Sequence, residues 1–371
     1  MKIKTIFATA IVAMLALSSC SNDEETSQGV DETQSFFIQI GKPGIKNRAE
    51  GANMDATQVS FTDGYLIFTS NDKIGRVIKI VETASAADEI TVSDLETGTV
   101  IGKIPANTKN VYLYGNTGAL DIASVAVENG SLSNVEALMW ELTDIQNTEN
   151  NVAKVPVYGK GDVAPGTTNP ERLESKFNVG PIGSRLQIGE ISCTDANVEK
   201  LELAGIYINS FYHSMNAANS FDDTNLVDYS IDKAKYSAAT GYASYLTMKD
   251  ELSPVVDIKP GAAKPTGTGN FWAYNFFPST MPHIVLHFAS LKVTDKAEVT
   301  NMYATVAKYS TAATGGTAVA TAEAGYVYTL NIDISDYENQ ISDLPESSSS
   351  VMGYVDIDII NWQSKTIYPE W

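Results

Sequence analysis

Tyr326-Val327-Tyr328-Thr329-Leu330-Asn331-Ile332 alternates side chains at every second position, and Val111-Tyr112-Leu113-Tyr114 does the same in the first half of the chain. A period of two marks a strand with one buried face and one face in water. Outward from these two stretches the same pattern recurs between turns. It predicts strands over Tyr65–Ser70, Arg76–Val81, Asn110–Tyr114, Lys154–Tyr158, Ser184–Ile191, Lys200–Ile208, His283–Val293, Asn301–Lys308 and Gly325–Ile334. Helical signals are sparse, and Val135–Leu142 reads as one short helix or one more strand. The expectation is an all-β protein.

Leaving out the first 48 residues, the body is longer than one sandwich of roughly 100–150 residues requires, so two tandem β-sandwiches are expected, 49–178 and 179–343. The turn-rich stretch Gly159–Pro170 reads as the separator, with little to bury. Asn216–Asn225 and Lys259–Gly269 read as loops of the second half. No repeat of solenoid or propeller length is visible.

Composition removes several functions. The 371 residues carry 45 acidic against 25 basic side chains, a formal charge of −20, which argues against nucleic acid and against anionic membrane surfaces. Two cysteines make no disulfide framework, and the three histidines form no Cys/His cluster of the kind that holds structural zinc.

The N-terminus reads as an address, 1–19. Lys2 and Lys4 precede an apolar run, Ile6–Leu17, about half the length that spans a bilayer as a helix. Leu17-Ser18-Ser19-Cys20 resembles a lipobox, with Cys20 the residue to be lipidated; the alternative is an ordinary signal peptide with an incidental cysteine. Ser21-Asn22-Asp23-Glu24-Glu25 looks like an acidic surface-export signal, although a short acidic run after a lipid anchor is often just a solvated tether. The segment 20–48 then holds Ser35-Phe36-Phe37-Ile38-Gln39-Ile40, a strand-forming run ended by Gly41-Lys42-Pro43-Gly44, and the exposed Lys46-Asn47-Arg48-Ala49-Glu50 follows.

At the other end, 344–371, Leu344-Pro345-Glu346 and four serines read as a flexible linker. Behind it Val351, Val355, Ile357 and Ile359 share one strand face, with Gly353 as a gap, and Tyr354, Asp356 and Asp358 share the other up to Asn361-Trp362. Covering the four apolar side chains is worth at most about 1.5–3 kcal/mol each, so the strand needs a partner sheet, its own or another.

Taken together, the Leu17–Cys20 box, the apolar segment before Arg48-Ala49, the two-sandwich body and the tethered last strand resemble the fimbrillin family, the FimA- and Mfa-type subunits of type V pili. Arg185–Ile188 and Leu201–Asn209 look like the family's core strands. The resemblance covers the whole architecture and lies in the order and spacing of these parts, since no single motif is specific. It implies transthyretin-like sandwiches with a C-terminal donor strand and neither an enzyme nor a cofactor. It implies a lipid on Cys20 that holds the precursor at the outer membrane, and an arginine-specific protease that cuts between Arg48 and Ala49. Phe36, Phe37, Ile38 and Ile40 would form a temporary strand. Val351, Val355, Ile357, Ile359 and Trp362 would form the strand donated to the next copy, with Asp356 and Asp358 left in solvent. The partners implied are further copies and accessory subunits in an extracellular fimbrium that supports adhesion. The second reading is a monomeric, surface-exposed glycan-binding lipoprotein that keeps its anchor.

Catalytic and metal sites are weakly represented. His283 and His287 share a strand face about 13 Å apart, too far for one ion, and His213 lies in a loop-like run. Cys193 has no basic neighbour in sequence and reads as a buried, inert thiol. No metal site is expected, and Gly180-Pro181-Ile182-Gly183 is a turn, with no phosphate cradle. Trp140, Trp272, Tyr274, Trp362 and Trp371, with the dense Phe271–Pro278 run, are the candidates for stacking on sugar rings, although core packing explains strand aromatics more simply.

Overall fold

β1 (Thr33–Gly41) enters the middle of a sheet, not its edge. The computed structural model describes residues 33–41, 61–118, 120–146, 155–265, 271–311, 316–347 and 354–356. Cys20, the Arg48–Ala49 junction, Val351, Ile357, Ile359, Trp362 and Trp371 lie outside the described residues. The architecture is all-β, as the alternation predicts, with only short helices.

The first sheet runs β5 (Thr99–Pro105), β1, β10 (Leu173–Asn178), β9 (Ala164–Pro165). It packs on a six-stranded sheet in the order β11 (Gly180–Pro181), β8 (Val157–Asp162), β6 (Asn110–Gly115), β2 (Gly64–Ser70), β3 (Lys73–Ile80), β4 (Glu89–Ile90). Phe36 and Ile38 from the first sheet share one core with Leu66, Phe68, Ile78 and Leu113 from the second. The second pair of sheets is β18 (Ala262–Ala263), β12 (Ser184–Cys193), β22 (Val327–Ile334), β23 (Tyr354–Asp356), with β19 (Trp272–Phe276) also on β12, and β17 (Lys249–Asp257), β13 (Val198–Asn209), β20 (His283–Val293), β21 (Val299–Val306).

β22 keeps its alternation from Tyr328 on, with Tyr328, Leu330, Ile332 and Ile334 buried and Asn331 on the opposite face exposed, while Val327 at its start is buried in the first core. β6 does not, since Val111 to Tyr114 are all buried. Val111 and Leu113 point into the first core, while Tyr112 and Tyr114 join the second with Ile122, Leu132 and Trp140. The expected wet face is covered by α2 (Ile122–Val125), α3 (Ser133–Glu136) and an excursion of the second half. That excursion pairs β14 (Phe211–Tyr212) with β16 (Leu226–Val227), and it pairs β15 (Ser214–Asn216) with β7 (Met139–Glu141) of the first half. The Tyr114 hydroxyl donates to the Ala217 carbonyl at 3.3 Å across the same seam.

Three further readings change. The Val135–Leu142 stretch is neither a single helix nor a single strand: α3 ends at Glu136, β7 follows, and α4 (Leu142–Gln146) begins. Within the turn-rich Gly159–Pro170, Gly159 and Gly161 are buried parts of β8. A methyl group at Gly161 would overlap Ser175 and Phe177, so glycine is what lets β8 lie against β10. Finally, β5, β10 and β17 have no counterpart among the strands predicted from alternation.

Candidate functional site

The feature with the clearest functional geometry is the slot that β1 fills. Phe36 to Gly41 run parallel to Leu173 to Asn178 of β10, while Thr33 to Ile38 run antiparallel to β5. Both edges of β1 are therefore occupied, and taking it away would leave two facing edges with unpaired N–H and C=O groups. Period two sends Phe36, Ile38 and Ile40 inward, at 0, 0 and 4% exposure. Phe36 meets Phe68 edge-on, centroids 5.0 Å apart. Burying the three side chains contributes about 1.5–3 kcal/mol each, an upper bound before ordering entropy.

Local sequence shapes both walls. On β5, Gly102 and Lys103 together stand opposite Ser35, because Gln34 faces Ile104 and Phe36 faces Ile101. This two-against-one bulge is completed by Lys103 in the left-handed region at φ 60°, and Arg76 Nη1 donates to the Lys103 carbonyl at 3.3 Å. α1 (Val92–Thr97) lies beside the slot with Leu95 fully buried. It is started by a capping box in which the Thr91 hydroxyl accepts from the Asp94 amide and Asp94 accepts from the Thr91 amide, both at 3.2 Å. It is stopped at Gly98, φ 88°, where a side chain would strike the Phe37 ring. Gln39 Nε2 donates to the Glu96 carbonyl at 3.4 Å.

The fourth residue of the expected temporary strand, Phe37, faces outward. Its ring lies 5.2 Å from the Arg172 guanidinium carbon and 5.6 Å from Lys176 Nζ, both on or at the start of β10. Arg172 Nη2 also donates to Glu174 Oε1 at 3.0 Å.

At the C-terminal side, Leu344–Glu346 is anchored where a flexible linker was expected. The Glu346 amide donates to Thr305 Oγ1 at 3.0 Å. Its carboxylate accepts from Asn209 Nδ2 at 2.8 Å and lies 2.8 Å from His283 Nδ1. These partners come from the ends of β13 and β20 and from β21, so the chain departs for the terminal segment from a fixed point. β23 then pairs antiparallel with β22, Thr329 to Asn331 opposite Asp356 to Tyr354. Among the described residues, this pairing seats the terminal segment on one edge of its own sheet.

Other chemistry-bearing groups are absorbed by packing. Cys193 is 5% exposed and burial pushes its thiol up to about 11, which suppresses the reactive thiolate. His287 stacks on Tyr303 with centroids 5.0 Å apart, and burial lowers its pKa. His213 stacks on Tyr245 and lies 3.8 Å from Glu141. Among the described residues no group of three or more His, Cys, Asp or Glu side chains is placed to hold a metal ion. Trp140 and Tyr274 are core residues, and Trp272 packs half-buried against the same core. What sequence reasoning missed are the slot walls, β5 and β10. Their polar, partly exposed sequences, Thr99-Val100-Ile101-Gly102-Lys103-Ile104-Pro105 and Leu173-Glu174-Ser175-Lys176-Phe177-Asn178, give little apolar contrast to detect.

No family model matches the chain, and no curated protein matches it. Solved structures do. The chain is similar to a fimbrilin of Porphyromonas gingivalis, at 12% identity and a TM-score of 0.48 over 82% of this chain and 91% of that one. It is similar to a protein of Parabacteroides distasonis proposed to act in cell adhesion, at 10% identity and a TM-score of 0.48 over 87% and 98%. A Bacteroides eggerthii protein with the same proposed role matches at 13% identity and a TM-score of 0.46 over 91% and 97%.

Proposed function

We propose that this protein is the structural subunit of a cell-surface fimbrium, polymerised by exchanging β1 for a strand of a neighbouring copy. In this reading residues 1–19 direct export and Cys20 carries the lipid that holds the precursor at the outer membrane. Residues 20–48 are a propeptide, 49–178 and 179–343 are the sandwich bodies, and 344–371 is the linker with the donated strand. Further copies and accessory fimbrial subunits are the partners, and adhesion is the service of the finished extracellular fibre.

One observation carries the reading. β1 is central and buried, yet it joins the rest of its sandwich only through the stretch between Gly41 and Phe61, which contains Arg48-Ala49. An arginine-specific cut there leaves β1 held by ladder hydrogen bonds and packing alone. A strand entering from another copy supplies the same two ladders and alternate apolar side chains, as in β-strand addition. The contact is head-to-tail and does not close on itself, so it propagates a filament.

The test is to cut the purified full chain after Arg48 with trypsin and look for a ladder of oligomers on an unboiled gel. A ladder that disappears in the Val355→Asp/Ile357→Asp double variant is expected. Normal fibres from that variant would refute the assignment of the donated strand, and cleavage with no ladder from the wild type favours the monomeric glycan-binding lipoprotein.

A further inference from the structure

The outer rim of the slot is cationic on its β10 side. Arg172 and Lys176 flank Glu174, the residue paired directly with Phe37, and both cations sit over the Phe37 ring. Arg172 is shared with Glu174, but its Nε–H is shielded from solvent and has no acceptor among the described residues. Lys176 has the Phe37 ring as its partner. It stands opposite Gln39 in the ladder and diagonally from Phe37. β1 thus offers this rim one aromatic ring and one amide, both weak partners for two positive charges.

A strand that replaces β1 must put apolar side chains at the places of Phe36, Ile38 and Ile40. Its two intervening residues then take the places of Phe37 and Gln39. Within Val351–Trp362 the one run of three β-branched residues at alternate positions is Val355, Ile357, Ile359, and the intervening residues are Asp356 and Asp358. The match works in either direction of entry. Parallel to β10, Asp356 takes the Phe37 place and Asp358 the Gln39 place; antiparallel, the two exchange. Both directions therefore set two carboxylates beside Lys176 and one beside Arg172.

We infer that Arg172 and Lys176 are a charge-selective clamp that recognises the acidic outer face of the incoming strand, Asp356 and Asp358 of a second copy. This rests on the strand-exchange reading and deepens it. The clamp holds Phe37 by cation–π attraction while the precursor is whole, and exchanges that contact for carboxylate partners. Glu174 opposes an aspartate at the Phe37 place, but the guanidinium of Arg172 has five donors in a fork and can serve two carboxylates at once. Complementary charge at a rim acts mainly on the rate and selectivity of association and weakens with salt.

The test uses the full chain and its variants, each cut after Arg48, with ladder formation followed in time at low and high salt. Lys176→Glu is expected to slow wild-type assembly roughly tenfold at low salt, and Asp356→Lys/Asp358→Lys to slow it similarly. Combining the three substitutions in one chain should restore part of the rate, since the glutamate introduced at position 176 regains two cationic partners while Arg172 still faces one lysine, and a merely misfolded variant would show no such recovery. Thermal melting of the uncut variants checks that each is folded. Assembly of the charge variants at the wild-type rate, or no recovery in the triple variant, overturns the clamp while leaving strand exchange intact. Failure of the cut wild type to form any ladder overturns strand exchange, and the clamp with it.

Discussion

β1 and β23 are both short segments from near the ends of the chain, and they are seated in opposite ways. β1 has a neighbour on each side, and three of its side chains are sealed in the first core. β23 lies at the end of its sheet, and among the described residues β22 is its one neighbour. Occupying two edges makes β1 hard to remove, whereas a strand held along one edge gives up a single ladder, in which each net backbone hydrogen bond contributes only about 0.5–1.5 kcal/mol. In the exchange reading the terminal segment is the more readily released partner and the slot is the controlled one. In that reading an intact chain would stay inert because its own strand, covalently linked, competes at high effective concentration. A cut removes that advantage.

The contrast can be broken most forcefully at Ile38. Ile38→Asp buries a carboxylate in the centre of the first core and should lower the stability of the uncut protein by about 4 kcal/mol or more, read as a fall in the urea midpoint. Next in size, Phe36→Ala leaves a cavity against Phe68 and should cost about 3–5 kcal/mol by the same measurement. Glu346→Ala tests the fixed point from which the terminal segment departs. It removes one of the two acceptors of Asn209 Nδ2 and the partner of His283, and should cost about 1–2 kcal/mol, with faster amide exchange at Leu344–Glu346. Smallest should be Val355→Asp/Ile357→Asp, which should change the melting of the uncut chain by less than about 0.5 kcal/mol. A large destabilisation there would erase the difference between the two seats.

Legibility in the sequence followed apolar contrast. β22 and β20 were readable because one face is strongly apolar, and Phe36–Ile40 was readable because its short apolar run ends at the breaker cluster Gly41-Lys42-Pro43-Gly44. Tyr112 and Tyr114 misled because tyrosine on an alternating strand reads as a wet face, while here α2, α3 and the β15 excursion cover it. Glu346 misled in the same way: beside four serines it reads as solvated, yet partners distant in sequence, Asn209, His283 and Thr305, converge on it.

What the sequence determined by itself is the class of the fold, the alternation of most core strands and the segment poised to be a strand before Arg48. All of these are local properties of side-chain order. Which strands flank β1, that it lies in a sheet interior, and that Arg172 and Lys176 meet at its outer face were decided only by the tertiary structure. Pairing between distant segments depends on how backbone edges and packing volumes match across the whole chain, and residues such as Glu174-Ser175-Lys176 carry no local pattern that names their neighbour.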